Sequence, residues 1–72
     1  MDKVVVGVIG AGIMGERHSR IYSELPNAEL RAVADVREDR AKAVAERCGA
    51  RLWYKDYRGI LEDTEIRAVS VT

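Results

Sequence analysis

The sequence predicts an α/β domain built around a parallel sheet. Apolar runs alternate with amphipathic stretches along all 72 residues, the first run is apolar on both faces, and a glycine-rich segment follows it directly. These are features of βαβ units whose strands are buried on both faces. We expect the order β-α-β-α-β-α-β, which right-handed crossovers convert into strand order 3-2-1-4, with the sheet truncated after its fourth strand.

The composition argues against several classes of protein. The chain has 12 basic and 12 acidic residues and a formal net charge of zero, so no electrostatic footprint indicates a nucleic-acid or membrane partner. The apolar segment 4–14 is too short to span a bilayer. The single cysteine, Cys48, excludes an internal disulfide and a cysteine-based zinc site, and we predict no metal site. An unpaired cysteine fits a reducing compartment, so we expect a cytoplasmic protein.

The first half of the chain holds two predicted strands with a helix between them. The β-branched run 4–9 is expected to form a central strand, and a helix is expected from the glycine-rich segment to about Leu25. The helical spacing places a stripe of side chains toward the sheet, namely Met14, His18, Ile21 and Leu25. Pro26 ends this helix, and residues 30–34 are predicted to form the second strand.

The second half repeats the pattern with shorter elements. A helix over about 38–48 carries a stripe of small apolar side chains that suits close packing on a sheet, namely Ala41, Val44, Ala45 and Cys48. A short strand over 51–54 follows, and Asp56 is expected to N-cap a helix that ends at about Glu62. The predicted inner face of that helix consists of Tyr57, Ile60 and Leu61. Residues 68–71 are expected to form the fourth strand.

The glycine-rich segment Gly10-x-Gly12-x-x-Gly15 matches a phosphate-binding turn, because it follows a predicted buried strand and begins a helix. Gly10 permits the tight turn, Gly12 lets a pyrophosphate approach the backbone, and Gly15 lets the helix pack closely on the strands. The amides of Ile13 and Met14 lie in the first helical turn, where unpaired N–H groups and the helix dipole attract phosphate. A turn that only reverses the chain is the alternative.

Asp35 supplies a second indication of a dinucleotide site. It ends the second predicted strand about 20 residues after the last glycine, where a carboxylate accepts hydrogen bonds from the adenosine ribose. Its charge would repel a 2′-phosphate, which favours NAD over NADP as the cofactor. Arg37 and Arg40 follow closely and could turn toward a 2′-phosphate, so NADP stays possible. The alternative for Asp35 is that it caps a helix or is simply solvated. The alternative for Arg37 and Arg40 is that both are solvated at the start of the helix.

Several stretches of the chain together resemble one known family. They are Val6–Gly15, His18, Ala32–Asp35, Tyr54–Tyr57 with Leu61, and Glu65–Thr72. In this combination they are similar to the N-terminus of the glucose–fructose oxidoreductase / inositol dehydrogenase (Gfo/Idh/MocA) family, and the likeness covers the whole chain. The resemblance implies a Rossmann-like dinucleotide-binding domain, of which residues 1–72 are the N-terminal part. It further implies a two-domain NAD(P)-dependent oxidoreductase that acts on sugars, inositols or related polyols.

The same resemblance implies particular site residues. It assigns cofactor contacts to Gly10, Gly12, Ile13, Met14 and Asp35, and it puts Thr72 where the family's chain turns past the nicotinamide side. The family's Glu-Lys-Pro stretch with its catalytic lysine, and its later histidine motif, have no counterpart here. We therefore assign no catalytic residue, and we expect this chain alone to hold only the adenosine and pyrophosphate half-site and to be inactive. A non-enzymatic nucleotide-sensing or assembly module is the alternative.

Other conspicuous side chains have structural interpretations. His18 is expected to be partly buried rather than to transfer protons, and Cys48 is expected to fill the core. We expect three aromatic residues to cover the edge of the sheet rather than to stack on adenine, namely Trp53, Tyr54 and Tyr57. The outer edge of the strand at 68–71 is apolar, and unpaired strand edges pair with other chains. We therefore predict self-association through this edge.

Overall fold

A computed structural model describes residues 3–72, which form one four-stranded parallel sheet with helices on both faces. The elements in chain order are β1 (Val4–Ile9), α1 (Ile13–Glu24), β2 (Ala28–Ala34), α2 (Glu38–Cys48), β3 (Leu52–Tyr54), α3 (Arg58–Leu61) and β4 (Ala68–Val71). The strand order is β3-β2-β1-β4 and every neighbouring pair is parallel. The predicted fold class and strand order are confirmed, although β2 begins before residue 30 and β3 begins after residue 51.

Helix α2 packs on the sheet through its predicted face. Ala41 and Ala45 are fully buried, Val44 is 3% exposed, and Cys48 is half-buried beside them. Their small side chains let the helix lie close to the strands, where Val8 of β1 belongs to the same apolar cluster. Burial of a valine side chain such as that of Val44 stabilises the fold by about 1.5–3 kcal/mol. The apolar periodicity of α2 therefore identifies its buried face correctly.

The predicted inward stripe of α1 is wrong. The apolar members of that stripe are largely exposed: Met14 at 50%, Ile21 at 48% and Leu25 at 41%. The side that faces the sheet begins one position later, with Gly15 and Ser19 buried and Tyr22 packed against the core. Gly15 lies against the carbonyl of Gly10, and this backbone contact turns the smallest side chains of the helix inward. A pattern of large apolar residues cannot show such a contact.

The short helix α3 covers the opposite face of the sheet. Ile60 is 1% exposed and packs on Ala32 and Ala34 of β2. Two positions of the predicted inner face are wrong, since Tyr57 is 53% exposed and Leu61 is 59% exposed. A helix of about one turn has room to present only one side chain to the sheet. Core formation on this face therefore depends mainly on Ile60.

The start of α3 also differs from the prediction. The N-cap is Tyr57 rather than Asp56, and the helix ends at Leu61. The Asp56 carboxylate accepts a hydrogen bond from the backbone N–H of Arg58 at 2.9 Å and another from its guanidinium at 2.8 Å. These contacts with Arg58 lower the pKa of Asp56. Asp56 thus stabilises the turn that leads into the helix without being its N-cap.

Strand β2 contains a bulge that the sequence does not reveal. Val6 pairs with Leu30, whereas the next residue, Gly7, pairs with Ala32, so Arg31 is the extra residue. A bulge re-aims a side chain, and the Arg31 guanidinium donates a hydrogen bond to a carboxylate oxygen of Asp63 at 2.6 Å, beyond α3. That hydrogen bond lowers the pKa of Asp63. The pair ties the loop after α3 to the sheet.

Strand β4 pairs with β1 and forms one edge of the sheet in the described part of the chain. Val69 is 41% exposed and Val71 is 74% exposed. The apolar outer edge expected at this strand is therefore present in the structure. Within residues 3–72, no helix has both the length and the apolar character needed to cross a membrane.

Candidate dinucleotide-binding site

The turn after β1 is held in a conformation that only glycine adopts easily. Gly10 has a φ of 102°, in the left-handed region. Its backbone N–H donates to the carbonyl of Ala34 at 2.7 Å. A Cβ built on Gly10 would lie 2.6 Å from Oγ1 of Thr72 and 2.8 Å from its carbonyl oxygen. Glycine at position 10 therefore allows both the backbone conformation of the turn and the close approach of Thr72.

The two later glycines of the motif have contrasting surroundings. A Cβ on Gly15 would overlap the carbonyl oxygen of Gly10, so this position requires glycine for the fold itself. A Cβ on Gly12 would meet no atom of residues 3–72 within 4 Å, and the φ of −75° at Gly12 suits any residue. The fold therefore does not require glycine at position 12. An open backbone of this kind lets a bulky anion come into direct contact with the main chain.

The first turn of α1 presents unpaired backbone donors beside Gly12. Gly12 is the N-cap residue, and no side chain in the described part of the chain caps the helix. The N–H groups of Ile13 and Met14 have no partner within the helix, because they precede its first i→i−4 hydrogen bond. Both side chains are exposed, at 82% and 50%. The dipole of this helix of 12 residues adds partial positive charge at the same point, so the site is suited to a phosphate.

Asp35 lies directly across from this turn. One of its carboxylate oxygens, Oδ2, accepts a hydrogen bond from the backbone N–H of Ala11 at 2.7 Å. The other, Oδ1, accepts from the backbone N–H of Arg37 at 2.8 Å. Each oxygen keeps a second lone pair for another donor. The structure thus brings the acidic residue of the sequence prediction into contact with the glycine turn.

The electrostatic environment keeps the Asp35 carboxyl ionised. Desolvation by burial acts to raise its pKa, but the amides of Ala11 and Arg37 donate to the carboxylate, and the charges of Arg40 and Arg37 are nearby. The hydrogen bonds and charges together prevail, so the pKa of Asp35 lies below its ordinary value. At neutral pH this residue is therefore an acceptor only.

The two arginines after Asp35 are in different positions. The guanidinium of Arg37 lies 3.5 Å from the Asp39 carboxylate, and both side chains are exposed. Arg40 lines a groove between the start of α1 and α2, together with Gly12 and Ile13. Among residues 3–72 the guanidinium of Arg40 forms no salt bridge. The predicted approach of either arginine to a 2′-phosphate stays a prediction.

A second group of side chains lines the same end of the sheet, and the sequence reasoning had considered only Tyr57 among them. A cleft beside Gly10 and Asp35 is also lined by Val36, Lys55 and Tyr57. Val36 is 82% exposed, although it is apolar. The loops after neighbouring parallel strands meet at one edge of a sheet, and that rule could have grouped these residues. Tyr57 lines this cleft and is 53% exposed, which does not fit its interpretation as sheet-edge cover. Its stacking on adenine stays a prediction.

The remaining aromatic residues fit the structural interpretation better. Trp53 lies on β3 at the sheet edge, with the ammonium of Lys42 5.8 Å from the centre of its ring. Tyr54 is half-buried and packs on the cluster around Ile60. Neither of these two aromatic residues lines the cleft beside Gly10 and Asp35. Both side chains therefore cover the sheet rather than the cleft.

Thr72 lies beside the glycine turn. Its N–H donates to the carbonyl of Ile9 at 2.9 Å, which extends the pairing of β4 with β1. Its hydroxyl oxygen is 3.2 Å from the carbonyl oxygen of Gly10. The predicted place of Thr72 next to a nicotinamide stays a prediction. The structure does bring it together with the turn, 62 positions away in sequence.

His18 and Cys48 take no part in this arrangement. His18 is half-buried, and its Nδ1 is 3.0 Å from Oγ of Ser70 on β4. Cys48 packs against the core, and its burial raises the pKa of the thiol. Within the part of the chain that the structure describes, no group of three or more His, Cys, Asp and Glu residues is placed to hold a metal ion.

Residues 4–72 match the family model GFO_IDH_MocA, which describes an oxidoreductase family with an NAD-binding Rossmann fold. The chain belongs to this family. The match covers all seven elements of the structure, and the predicted family is confirmed. The residues present fit a dinucleotide, because open backbone at Gly12 and unpaired amides at Ile13 and Met14 lie next to an ionised acceptor at Asp35.

Individual relatives agree with the family assignment. The chain is 39% identical over 66 residues to myo-inositol 2-dehydrogenase of Thermotoga maritima, a match that covers 92% of this chain and 20% of that protein. It is 37% identical over 71 residues to inositol 2-dehydrogenase of Rubrobacter xylanophilus, covering 97% of this chain and 20% of that protein. The chain therefore spans about one fifth of the length of these relatives.

Solved structures show the same fold with cofactor bound. Myo-inositol dehydrogenase from Lactobacillus casei, in complex with NAD(H) and myo-inositol, superposes with a TM-score of 0.89 at 36% identity, covering 97% of this chain and 21% of that one. A 3-ketoreductase from Actinomadura kijaniata, in complex with NADP, gives 0.89 at 34% identity, with 97% and 22% covered. Structural neighbours of this chain thus bind either NAD(H) or NADP.

Proposed function

We propose that this chain binds the adenosine and pyrophosphate half of NAD at the end of β1 and β2. The observation that carries the proposal is the hydrogen bond between Asp35 and Ala11, because it joins an acceptor for ribose to a turn that offers donors for phosphate. Gly10 and Gly15 shape the turn, and Gly12 admits the ligand to the backbone. The amides of Ile13 and Met14, together with Gly12, are assigned to the pyrophosphate.

NAD is the proposed cofactor, and NADP is the second candidate. The lowered pKa of Asp35 keeps a negative charge where a 2′-phosphate would lie. Arg37 is partly engaged by Asp39, which weakens its ability to offset that charge. We assign Arg40 to the groove beside the turn. Its positive charge, turned toward a 2′-phosphate, would offset the charge of Asp35, which keeps NADP as the second candidate. The expected order of affinity is NAD before NADP.

The whole protein is proposed to be an NAD(P)-dependent oxidoreductase that acts on an inositol or a related sugar or polyol. Support comes from the membership of the family and from the dehydrogenases it resembles. Residues 1–72 are then the N-terminal part of its dinucleotide-binding domain, in a cytoplasmic protein. A bound nicotinamide accepts or donates hydride, but none of Lys3, Lys42 and Lys55 lies in the family's lysine motif. We therefore expect no dehydrogenase activity from this chain alone.

Calorimetric titration with a ligand series tests the binding proposal. ADP-ribose and NAD should bind with similar affinity, NADP should bind more weakly, and nicotinamide mononucleotide, which lacks the adenosine half, should give no heat. Absence of heat from all four ligands at millimolar concentration, with a folded chain confirmed by circular dichroism, would overturn the proposal. Equal binding of nicotinamide mononucleotide and ADP-ribose would show that the chain does not recognise adenosine.

The alternative of a non-enzymatic nucleotide-sensing or assembly module shares the same binding residues. It is separated from an enzyme by the coding sequence downstream of Thr72. A following domain that carries the family's lysine motif would exclude it, and a stop codon at that point would favour it.

Self-association is proposed for the 72-residue chain itself. Among residues 3–72 no strand pairs with the outer edge of β4, and Val69 and Val71 of this strand are exposed. A second copy of the chain would cover this edge by strand pairing. Light scattering should show a mass above 8.0 kDa that rises with concentration. A monomeric mass at millimolar concentration would contradict this proposal without affecting the binding proposal.

A further inference from the structure

The Asp35 side chain continues the hydrogen bonding of the sheet beyond its strands. The last backbone contact between β1 and β2 runs from the N–H of Gly10 to the carbonyl of Ala34 at 2.7 Å. At the next position the donor is the N–H of Ala11, and the acceptor is the Asp35 carboxylate at 2.7 Å. The backbone of Asp35 is itself fixed by a hydrogen bond to the carbonyl of Tyr54 at 3.0 Å. The carboxylate is therefore firmly supported on the strand side.

The Ala11 amide depends on this carboxylate. Ala11 is 5% exposed, so water has little access to it. A buried N–H without an acceptor is strongly disfavoured, and native structures almost always provide a partner. In this chain the partner is the Asp35 carboxylate. The contact spans 24 positions of sequence and fixes the second residue of the glycine turn.

We propose that Asp35 is a positioning residue for the phosphate-binding turn, in addition to its role as the acceptor for ribose. By holding the Ala11 amide it keeps the turn in its binding shape before the cofactor arrives. This inference rests on the proposed function, because the turn matters only if it binds phosphate. It has one consequence that a ribose acceptor alone would not have: recognition of phosphate without any ribose also depends on Asp35.

The direction in which loss of Asp35 changes pyrophosphate affinity separates a positioning role from a role in ribose binding alone. A carboxylate repels pyrophosphate, so removing the charge of a residue that only binds ribose should leave pyrophosphate binding unchanged or tighten it. If Asp35 holds the turn, removing it should weaken the same binding. Asp35→Asn is the informative change, because an asparagine side chain has one acceptor oxygen and one NH₂ group. It cannot accept hydrogen bonds from both Ala11 and Arg37 with its two terminal atoms.

The experiment titrates inorganic pyrophosphate into the isotope-labelled chain and follows the amide signals of Gly12, Ile13 and Met14 by NMR. The dissociation constant of Asp35→Asn should rise about fivefold or more, in line with loss of a charge-assisted hydrogen bond. Asp56→Asn is the matched control, because Asp56 also accepts from the backbone two residues later but lies at the start of α3. This control should bind pyrophosphate like the unaltered chain. Tighter or equal binding by Asp35→Asn overturns the positioning role.

Two outcomes distinguish this inference from the proposed function. If neither pyrophosphate nor ADP-ribose binds to the unaltered chain, the proposed function fails and the inference fails with it. If both ligands bind to the unaltered chain and pyrophosphate binds equally well to Asp35→Asn, only the positioning role fails. Hydrogen exchange at the Ala11 amide without ligand adds a direct measurement, and it should be about tenfold faster in Asp35→Asn than in the Asp56→Asn control.

The unaltered chain provides a measurement that does not depend on the folding of a variant. The amide proton shift of Ala11 should follow the protonation of the Asp35 carboxyl, with the same midpoint. The charged and titratable groups that face this carboxyl are Arg37, Arg40, Lys55 and Tyr57. An Ala11 shift that does not respond while Asp35 titrates would overturn the inference.

Discussion

Helices α1 and α2 lie on the same face of the sheet, yet only α2 packs through the face that its apolar periodicity predicts. α2 buries Ala41 and Ala45, whereas α1 buries Gly15 and Ser19 and leaves large apolar side chains exposed. The difference is that α1 begins in the glycine turn. Contact between the backbones at Gly15 and Gly10 sets the rotation of the helix. A helix that follows a binding turn is therefore oriented by the turn, and a helix that follows an ordinary loop is oriented by its apolar residues.

The largest expected effect comes from adding one methyl group to α1. Gly15→Ala should destabilise the chain by about 3 kcal/mol or more, because the new Cβ overlaps a backbone carbonyl that cannot move aside easily. The matched change in α2, Ala45→Gly, should cost only about 1–2 kcal/mol. Urea unfolding followed by circular dichroism measures both. A smaller loss for Gly15→Ala than for Ala45→Gly would mean that the turn does not orient α1.

The second expected effect separates binding from folding within the same turn. Gly12→Ala should leave the free energy of unfolding within about 0.5 kcal/mol of the unaltered chain, because nothing lies within 4 Å of the new Cβ. Affinity for ADP-ribose should nevertheless fall tenfold or more, or about 1.4 kcal/mol, since the methyl group occupies the path of the pyrophosphate. Calorimetry and urea unfolding together test this. Unchanged affinity would remove Gly12 from the site.

A third effect concerns pH. The pKa of Asp35 is lowered in the fold, so its contribution to stability is fully present above the ordinary aspartate pKa of about 3.9. The contribution is lost as pH falls through the lower, folded pKa. The decrease in the free energy of unfolding on acidification should be smaller in Asp35→Asn than in the unaltered chain. Val44→Ala in α2 should instead reduce stability equally at every pH. Urea unfolding between pH 7 and pH 3 measures the difference. If the free energy of unfolding falls with pH as steeply in Asp35→Asn as in the unaltered chain, Asp35 is not the source of this pH dependence.

The smallest effect is expected on the outer side of α1. Ile21 is 48% exposed, so Ile21→Gln should change the free energy of unfolding by no more than about 0.5 kcal/mol. Val44→Ala in α2 should cost about 2 kcal/mol, because it leaves a cavity in the core. The same urea assay compares the two variants. If Ile21→Gln lowers the free energy of unfolding as much as Val44→Ala does, the face of α1 predicted from periodicity is buried after all.

Sequence reasoning captures those parts of the fold that local pattern determines. The strand order, the face of α2, and the presence of Asp35 near the glycine turn all follow from spacing and residue type. The bulge at Arg31 does not, because register depends on how two strands meet. The contact of Arg31 with Asp63 depends on that register and is equally invisible in the sequence.

The candidate site was predicted in its chemistry but not in its full lining. The donors of the turn and the carboxylate were named from the sequence, whereas Val36 and Lys55 were not. These residues come together only because the loops after β2 and β3 meet at one edge of the sheet. The hydrogen bond from Ala11 to Asp35 was also missed, since an alanine carries no side-chain signal. Backbone donors are the part of a site that residue types describe least well.

The most direct test of the account is an experimental structure of this chain with ADP-ribose bound. The pyrophosphate oxygens should lie within hydrogen-bond distance of the amides of Ile13 and Met14, and the adenosine ribose hydroxyls should lie within the same distance of the Asp35 carboxylate. A pyrophosphate bound away from this turn, or a ribose that makes no contact with Asp35, would contradict the account.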